Sequence, residues 1–127
     1  GARRNYIAEG EGRTFDRARA DARASWNRAL ASVKVEGGDE AGNTVFYTAL
    51  YHTMIDPRTF MDVDGRYMGG DGRAHQGDGT WTKRTIFSGW DVFRSQMPLQ
   101  SLINPRVVSD LINSLITLAD EKFKYNA

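Results

Sequence analysis

The chain has 127 residues, of which 40% are hydrophobic and 26% charged, enough apolar side chain to offset the entropy of one compact unit and too much for a disordered chain. Seventeen Lys and Arg nearly balance sixteen Asp and Glu, and a net charge of +1 supplies no field that singles out nucleic acid or an anionic membrane as the partner. Cysteine is absent, which removes a disulfide framework, a thiolate nucleophile and a Cys-based zinc site, and no apolar run reaches the ~18 residues that span a bilayer.

Residues 1–13 mix Gly, Glu and Arg without a period and read as a linker or an edge segment without regular structure. From Thr14, a suitable N-cap, the residues Phe15, Ala18, Ala22, Trp26, Leu30 and Val33 recur three or four apart, which predicts an amphipathic helix ending before Gly37-Gly38. Arg17, Arg19, Arg23 and Arg28 fall mostly off that stripe and belong to a solvated face. A second helix is expected between Asp39 and Asp56-Pro57. Its segment Val45 to Ile55 is apolar or aromatic nearly all round, so it must be covered on several sides, and His52 near its end reads as a core histidine.

From Arg58 to Arg84 six glycines lie among polar residues, which predicts a long loop, with strand-like pieces at Arg66-Tyr67-Met68 and Thr80-Trp81-Thr82 that could form a small hairpin. Ser88 then opens a third helix with Trp90, Phe93 and Met97 on one face, and Pro98 is expected to interrupt it. Asn104-Pro105 supplies an N-cap followed by Pro at the first helical position, and Val108, Leu111, Ile112, Leu115 and Leu118 trace a fourth helix.

Few constellations carry chemistry. Asp62-Val63-Asp64-Gly65 suggests a calcium loop, but counting from Asp62 puts Tyr67 and Arg73 where an EF-hand needs Gly and a carboxylate, so turn formation is the simpler role. His52 and His75 are the only histidines and lie far apart, and no GxSxG or HExxH occurs. The segment Phe87-Ser88-Gly89-Trp90-Asp91-Val92-Phe93-Arg94 has two readings. Ser88 and Asp91 form an S-x-x-D capping box, with Asp91 and Arg94 close enough to pair. An aromatic face beside an acid and an Arg is equally what a sugar site needs, for ring stacking and for hydroxyl hydrogen bonds.

Three ordered motifs break that tie: Phe46-Tyr47-Thr48-Ala49-Leu50-Tyr51-His52, then Asp62-Val63-Asp64-Gly65-Arg66-Tyr67, then Phe87 to Arg94, followed by Pro98-Leu99 and Pro105. In order and spacing they resemble the α-mannosidases of glycoside hydrolase family 92, a likeness that runs from about Thr14 to Leu118. Gly89 and Val92 depart from the more usual residues of the WDxxR segment, and Gln96-Met97 stands where a His commonly precedes Pro-Leu.

The resemblance implies a mainly α fold, a partial (α/α)6 barrel made of early helices plus the long Gly-rich loop. Residues 14–127 would be the N-terminal part of the catalytic domain and residues 1–13 the segment leading into it. It implies an exo-acting, inverting, calcium-dependent parent enzyme that removes terminal mannose from glycans, secreted or periplasmic, with this chain alone inactive. A β-sandwich lobe and the remaining barrel helices would be its partners. In an inverting glycosidase one carboxylic acid protonates the leaving oxygen while an opposed carboxylate activates water. The resemblance places those groups and the calcium ligands outside this sequence, so it assigns no catalytic and no metal residue here. What it does carry over is a mannose-contact role for Trp90, Asp91 and Arg94. The alternatives are another (α/α)6 sugar-processing enzyme, such as a trehalase-like glucosidase or a disaccharide phosphorylase, or a non-catalytic helical binding module.

Overall fold

The computed structural model describes residues 1–85 and 88–124, with the side chain of Lys124 excepted. Phe87, the first residue of the third motif, lies outside the described residues, as does the C-terminal end of the 14–127 segment. The described residues form six helices and one two-stranded hairpin: α1 (Ala2–Glu9), α2 (Phe15–Leu30), α3 (Glu40–Thr53), β1 (Arg66–Met68), β2 (Ala74–Gln76), α4 (Gly89–Val92), α5 (Gln96–Ile103) and α6 (Pro105–Lys124). None of these helices is long and apolar enough to cross a membrane.

The stretch before Thr14, expected without regular structure, contains α1. Its order comes from polar anchoring rather than burial, since none of its residues is buried. Asn5 donates to Asp62 at 2.7 Å and accepts the main-chain N–H of Val63 at 3.0 Å, while Arg4 pairs with Asp64. Thr14 caps α2 by accepting the Arg17 N–H, and Asp39 caps α3 by accepting the Gly42 N–H at 2.7 Å. These two helices meet through aromatics. Trp26 sets its edge against Tyr51 with centroids 4.5 Å apart, and the Tyr47 hydroxyl donates to the Val33 carbonyl.

The loop is closed at its neck rather than free. Phe60 N–H donates to Lys83 O and Thr85 N–H to Arg58 O, both at 2.8 Å, around an antiparallel bridge between Thr59 and Arg84. Inside the neck, β1 and β2 pair with Tyr67 opposite His75. The Arg66-Tyr67-Met68 expectation is met. Thr80-Trp81-Thr82 is not a strand: the partner of β1 is Ala74–Gln76, earlier in the chain, and the bridge at the neck falls on Arg84. Gly65 turns the chain into β1 with φ of +80°, a conformation that favours glycine.

The third helix breaks earlier than expected. It divides into α4 and α5 around Phe93 to Ser95, and Pro98 is the third residue of α5, where the first turn has no N–H partner to lose. The last carbonyl of α3 and one just beyond the helix are met by side chains of α5. Gln96 donates to Thr53 O and Asp56 O, and Gln100 donates to Thr53 O and Thr53 Oγ1. Asn104 completes the row by donating to Gln100 Oε1 at 2.9 Å, just before Pro105 starts α6.

The interior is small. Among the large apolar side chains of the described residues only Leu50 and Leu111 are buried, and α3, whose apolar run demands cover on several sides, leaves Val45 70% exposed. His52, expected in the core, is exposed: among the described residues its ring contact is with its chain neighbour Tyr51. On α6 the buried positions are Asp110, Leu111, Ser114 and Glu121, whereas Ile112, Leu115 and Ile116 face outward. The accessible surface is 9305 Å², against about 6,800 Å² for a self-contained chain of this mass.

Candidate functional site

The mainly polar inner face of α6 meets the loop in a buried network that sequence reading did not anticipate. Glu121 is 7% exposed and Lys83 3% exposed, and the Glu121 carboxylate lies 3.8 Å from Lys83 Nζ. The same carboxylate accepts the Tyr67 hydroxyl at 3.0 Å and the Gly70 N–H at 2.9 Å. A Cβ at Gly70 would come within 2.6 Å of Leu118 Cδ1 and 3.2 Å of Leu118 O, so a side chain there would crowd this approach. Lys83 Nζ also donates to Ser114 O and lies 4.9 Å from the centroid of the Tyr67 ring, a cation–π contact.

A second charge pair extends the layer. Arg84 forks onto Asp110 Oδ2 at 3.0 and 3.3 Å, Asp110 Oδ1 accepts the Thr82 N–H, and Ser114 Oγ accepts the Arg84 N–H at 2.8 Å. His75 stacks on Tyr67, its Nε2 3.0 Å from Asp71 Oδ1.

The charges respond as this burial dictates. Burial, reinforced by the hydrogen bond to Glu121, pushes the Tyr67 hydroxyl up to about 12. Burial pulls the Lys83 ammonium below its ordinary value, with Glu121 opposing it, and the His75 hydrogen bond lowers Asp71. No buried side-chain polar atom among the described residues lacks a partner. The charged pairs Lys83–Glu121 and Arg84–Asp110 thus hold the loop to α6. The signal for it in sequence is faint, because Asp110, Ser114 and Glu121 read as a solvated stripe until the loop's cations are placed opposite them.

The acidic turn serves in the same way. Asp62 is bound by Asn5, and Asp64 pairs with Arg66 at 2.9 Å and with Arg4. The Arg66 hydrogen bond, followed by that of Arg4, holds the Asp64 carboxyl at about 2. Among the described residues no group of three or more His, Asp or Glu converges on a common point, so these donors do not fit a calcium ion.

Trp90, Asp91 and Arg94 are placed differently. Ser88 makes no side-chain cap hydrogen bond, so the expected capping box is not formed, and the Asp91 N–H goes instead to Ser88 O at 3.2 Å. Trp90 is 80% exposed, Asp91 and Arg94 are exposed, and the Arg94 guanidinium lies 5.6 Å from the centroid of the Phe93 ring instead of pairing with Asp91. Trp90 and Asp91 lie on α4 and Arg94 two residues beyond its end, all three exposed to solvent. Two open cavities, of ≈ 490 Å³ beside Tyr67 and Asn5 and ≈ 350 Å³ beside Trp26 and Arg84, are lined by none of the three.

Comparison with known proteins gives this arrangement its context. The pattern of the glycosyl hydrolase family 92 catalytic domain matches residues 1–126. The family GH92 α-mannosidase BT3965 from Bacteroides thetaiotaomicron is 33% identical with a TM-score of 0.83, over 92% of this chain and 16% of that one. Its complex with mannoimidazole aligns with the same identity and TM-score, over 15% of the solved chain. The GH92 family glycosyl hydrolase ccman5 is 30% identical with a TM-score of 0.87, over 96% of this chain and 17% of that one. No curated protein matches the chain. The chain therefore spans about a sixth of the length of these solved relatives. It belongs to glycosyl hydrolase family 92, and its mainly helical structure corresponds to part of that family's catalytic domain.

Proposed function

We propose that these residues are the early helices of the (α/α)6 catalytic barrel of an exo-acting, inverting and calcium-dependent α-mannosidase, exported by its cell, that removes terminal α-linked mannose from glycans. In this reading Trp90, Asp91 and Arg94 contact the mannose. The observation that carries it is their exposure on and just after α4, with no intrachain partner for the Asp91 carboxylate among the described residues, whereas Lys83 and Arg84 are paired with carboxylates of α6.

Each has a task suited to its chemistry. The Trp90 indole presents a flat apolar face to the C–H surface of a pyranose ring. Asp91 accepts hydrogen bonds from sugar hydroxyls, and Arg94 donates to ring or hydroxyl oxygens through a planar fork that holds their orientation. Together they fix the sugar; they move no proton. The acid, the base and the calcium ligands belong, in this proposal, to the other five-sixths of the enzyme. The apolar surface that this chain leaves open is the surface such neighbours would cover, which disfavours a free-standing binding module.

The complete enzyme tests the reading with an aryl α-mannoside. Hydrolysis releasing β-mannose first, seen by proton NMR, and lost in the presence of a calcium chelator is the expected outcome. Release of α-mannose first refutes inversion, activity indifferent to the chelator refutes the calcium dependence, and no hydrolysis of any α-mannoside refutes the activity itself.

A further inference from the structure

We propose that Gln96 is the positioning residue of the sugar-contact segment: its side-chain amide ties the start of α5 to the C-terminal end of α3 and thereby fixes where Trp90, Asp91 and Arg94 sit. This rests on the mannose-contact reading of those three residues.

The segment cannot hold itself in place. α4 has four residues, little more than one helical turn, and a helix that short does not offset the cost of its own nucleation. Its N-cap residue makes no side-chain bond, and Trp90, Asp91, Phe93 and Arg94 are all exposed. Burial and capping, the usual sources of local order, are therefore weak here. Among the described residues, the long-range hydrogen bonds recorded for positions 88–96 are the two made by Gln96, 3.0 Å to Thr53 O and 3.1 Å to Asp56 O.

Those two acceptors suit the purpose. Thr53 ends α3, where helix carbonyls have no intrahelical donor and carry the negative end of the helix dipole, and Asp56 lies three residues beyond it in the segment that leads into the loop. A primary amide offers two N–H groups in one plane, so both bonds form at once and fix direction as well as distance. Gln96 is also two residues from Arg94 and opens α5. A rotation of its side chain is transmitted to the sugar-contact segment with little chain between to absorb it. Gln100, one turn on, donates to Thr53 as well but is separated from α4 by a full turn of α5.

The test uses the complete enzyme with an aryl α-mannoside, together with amide hydrogen exchange resolved over residues 88–95. Gln96→Leu is expected to raise KM about tenfold with kcat changed less than threefold, the loss of two neutral hydrogen bonds expressed as misplacement, and to speed exchange across 88–95. Gln96→Glu separates positioning from packing, because a carboxylate faces two carbonyl oxygens and only its protonated form restores a donor. Its KM defect should shrink as the pH falls toward the carboxylate range, whereas that of Gln96→Leu should not. Gln100→Leu is expected to lower the melting temperature with KM within twofold of the parent. If Gln96→Leu lowers the melting temperature while KM and exchange over 88–95 stay unchanged, or if Gln96→Glu shows no recovery at low pH, Gln96 is only a packing contact. An Asp91→Ala enzyme with unchanged KM is a separate result: it removes the mannose-contact reading, and the exchange data still report whether Gln96 holds the segment.

Discussion

The carboxylate of Glu121 accepts the main-chain N–H of Gly70 at 2.9 Å, joining the tip of the glycine-rich loop to the last turns of α6 across 51 residues of sequence. Because Glu121 also faces Lys83 and Tyr67, removing it strands a nearly fully buried ammonium as well as two hydrogen-bond donors. Breaking one side of such a pair costs about 3–5 kcal/mol. Glu121→Ala is therefore expected to lower the unfolding free energy by roughly that amount in denaturant titration, and Glu121→Gln, which can still accept from Tyr67, by less. Equal and small losses for both would mean that the ion pair contributes little.

The anchoring of α1 has a defined pH window. Asp64 sits at about 2, below its ordinary value, through Arg66 and Arg4. A carboxyl depressed in the folded state contributes stability that is fully present above its unfolded value and is lost as the pH falls through the folded one. The amides of α1 should thus keep their exchange protection down to about pH 4 and lose it as the pH approaches 2. Asp64→Asn should abolish this window. Loss of protection already near pH 5 would show that other groups hold α1.

Much of the local structure was legible because its causes are local. Thr14 and Asp39 as N-caps and Pro105 at a first helical position mark helix starts, and Arg66-Tyr67-Met68 marks one strand of the hairpin, whose partner Ala74–Gln76 was not singled out. What escaped depends on contacts distant in sequence. α1 is ordered by Asp62 and Asp64, more than fifty residues away, and Glu121, Ser114 and Asp110 become interior positions only because Lys83, Tyr67 and Arg84 are brought over them. His52 was read as core from the apolar run around it, and hydrophobicity does not say whether the covering element lies within the same stretch of chain. The WDxxR segment was legible as a motif, whereas its attachment through Gln96 was not.

The outward stripe of α6 offers a contrast between the isolated chain and the whole enzyme. Ile112, Ile116 and Phe123 are 50%, 57% and 73% exposed and recur at helical spacing. In the isolated chain Ile112→Gln with Ile116→Gln should raise solubility and reduce binding of a hydrophobic dye with no loss of stability. In the complete enzyme, where the proposal has neighbouring helices cover this stripe, each substitution should cost about 1.5–3 kcal/mol. A complete enzyme unaffected by both would mean that the stripe stays open to solvent.

The most direct test of the account is the steady-state kinetics of Asp91→Ala in the complete enzyme with an aryl α-mannoside. Loss of a charged acceptor for sugar hydroxyls is worth about 1.5–3 kcal/mol, so kcat/KM should fall about 10- to 100-fold with the melting temperature unchanged, since no described residue depends on that carboxylate. A kcat/KM equal to that of the parent enzyme would contradict the assignment of this segment to the mannose site.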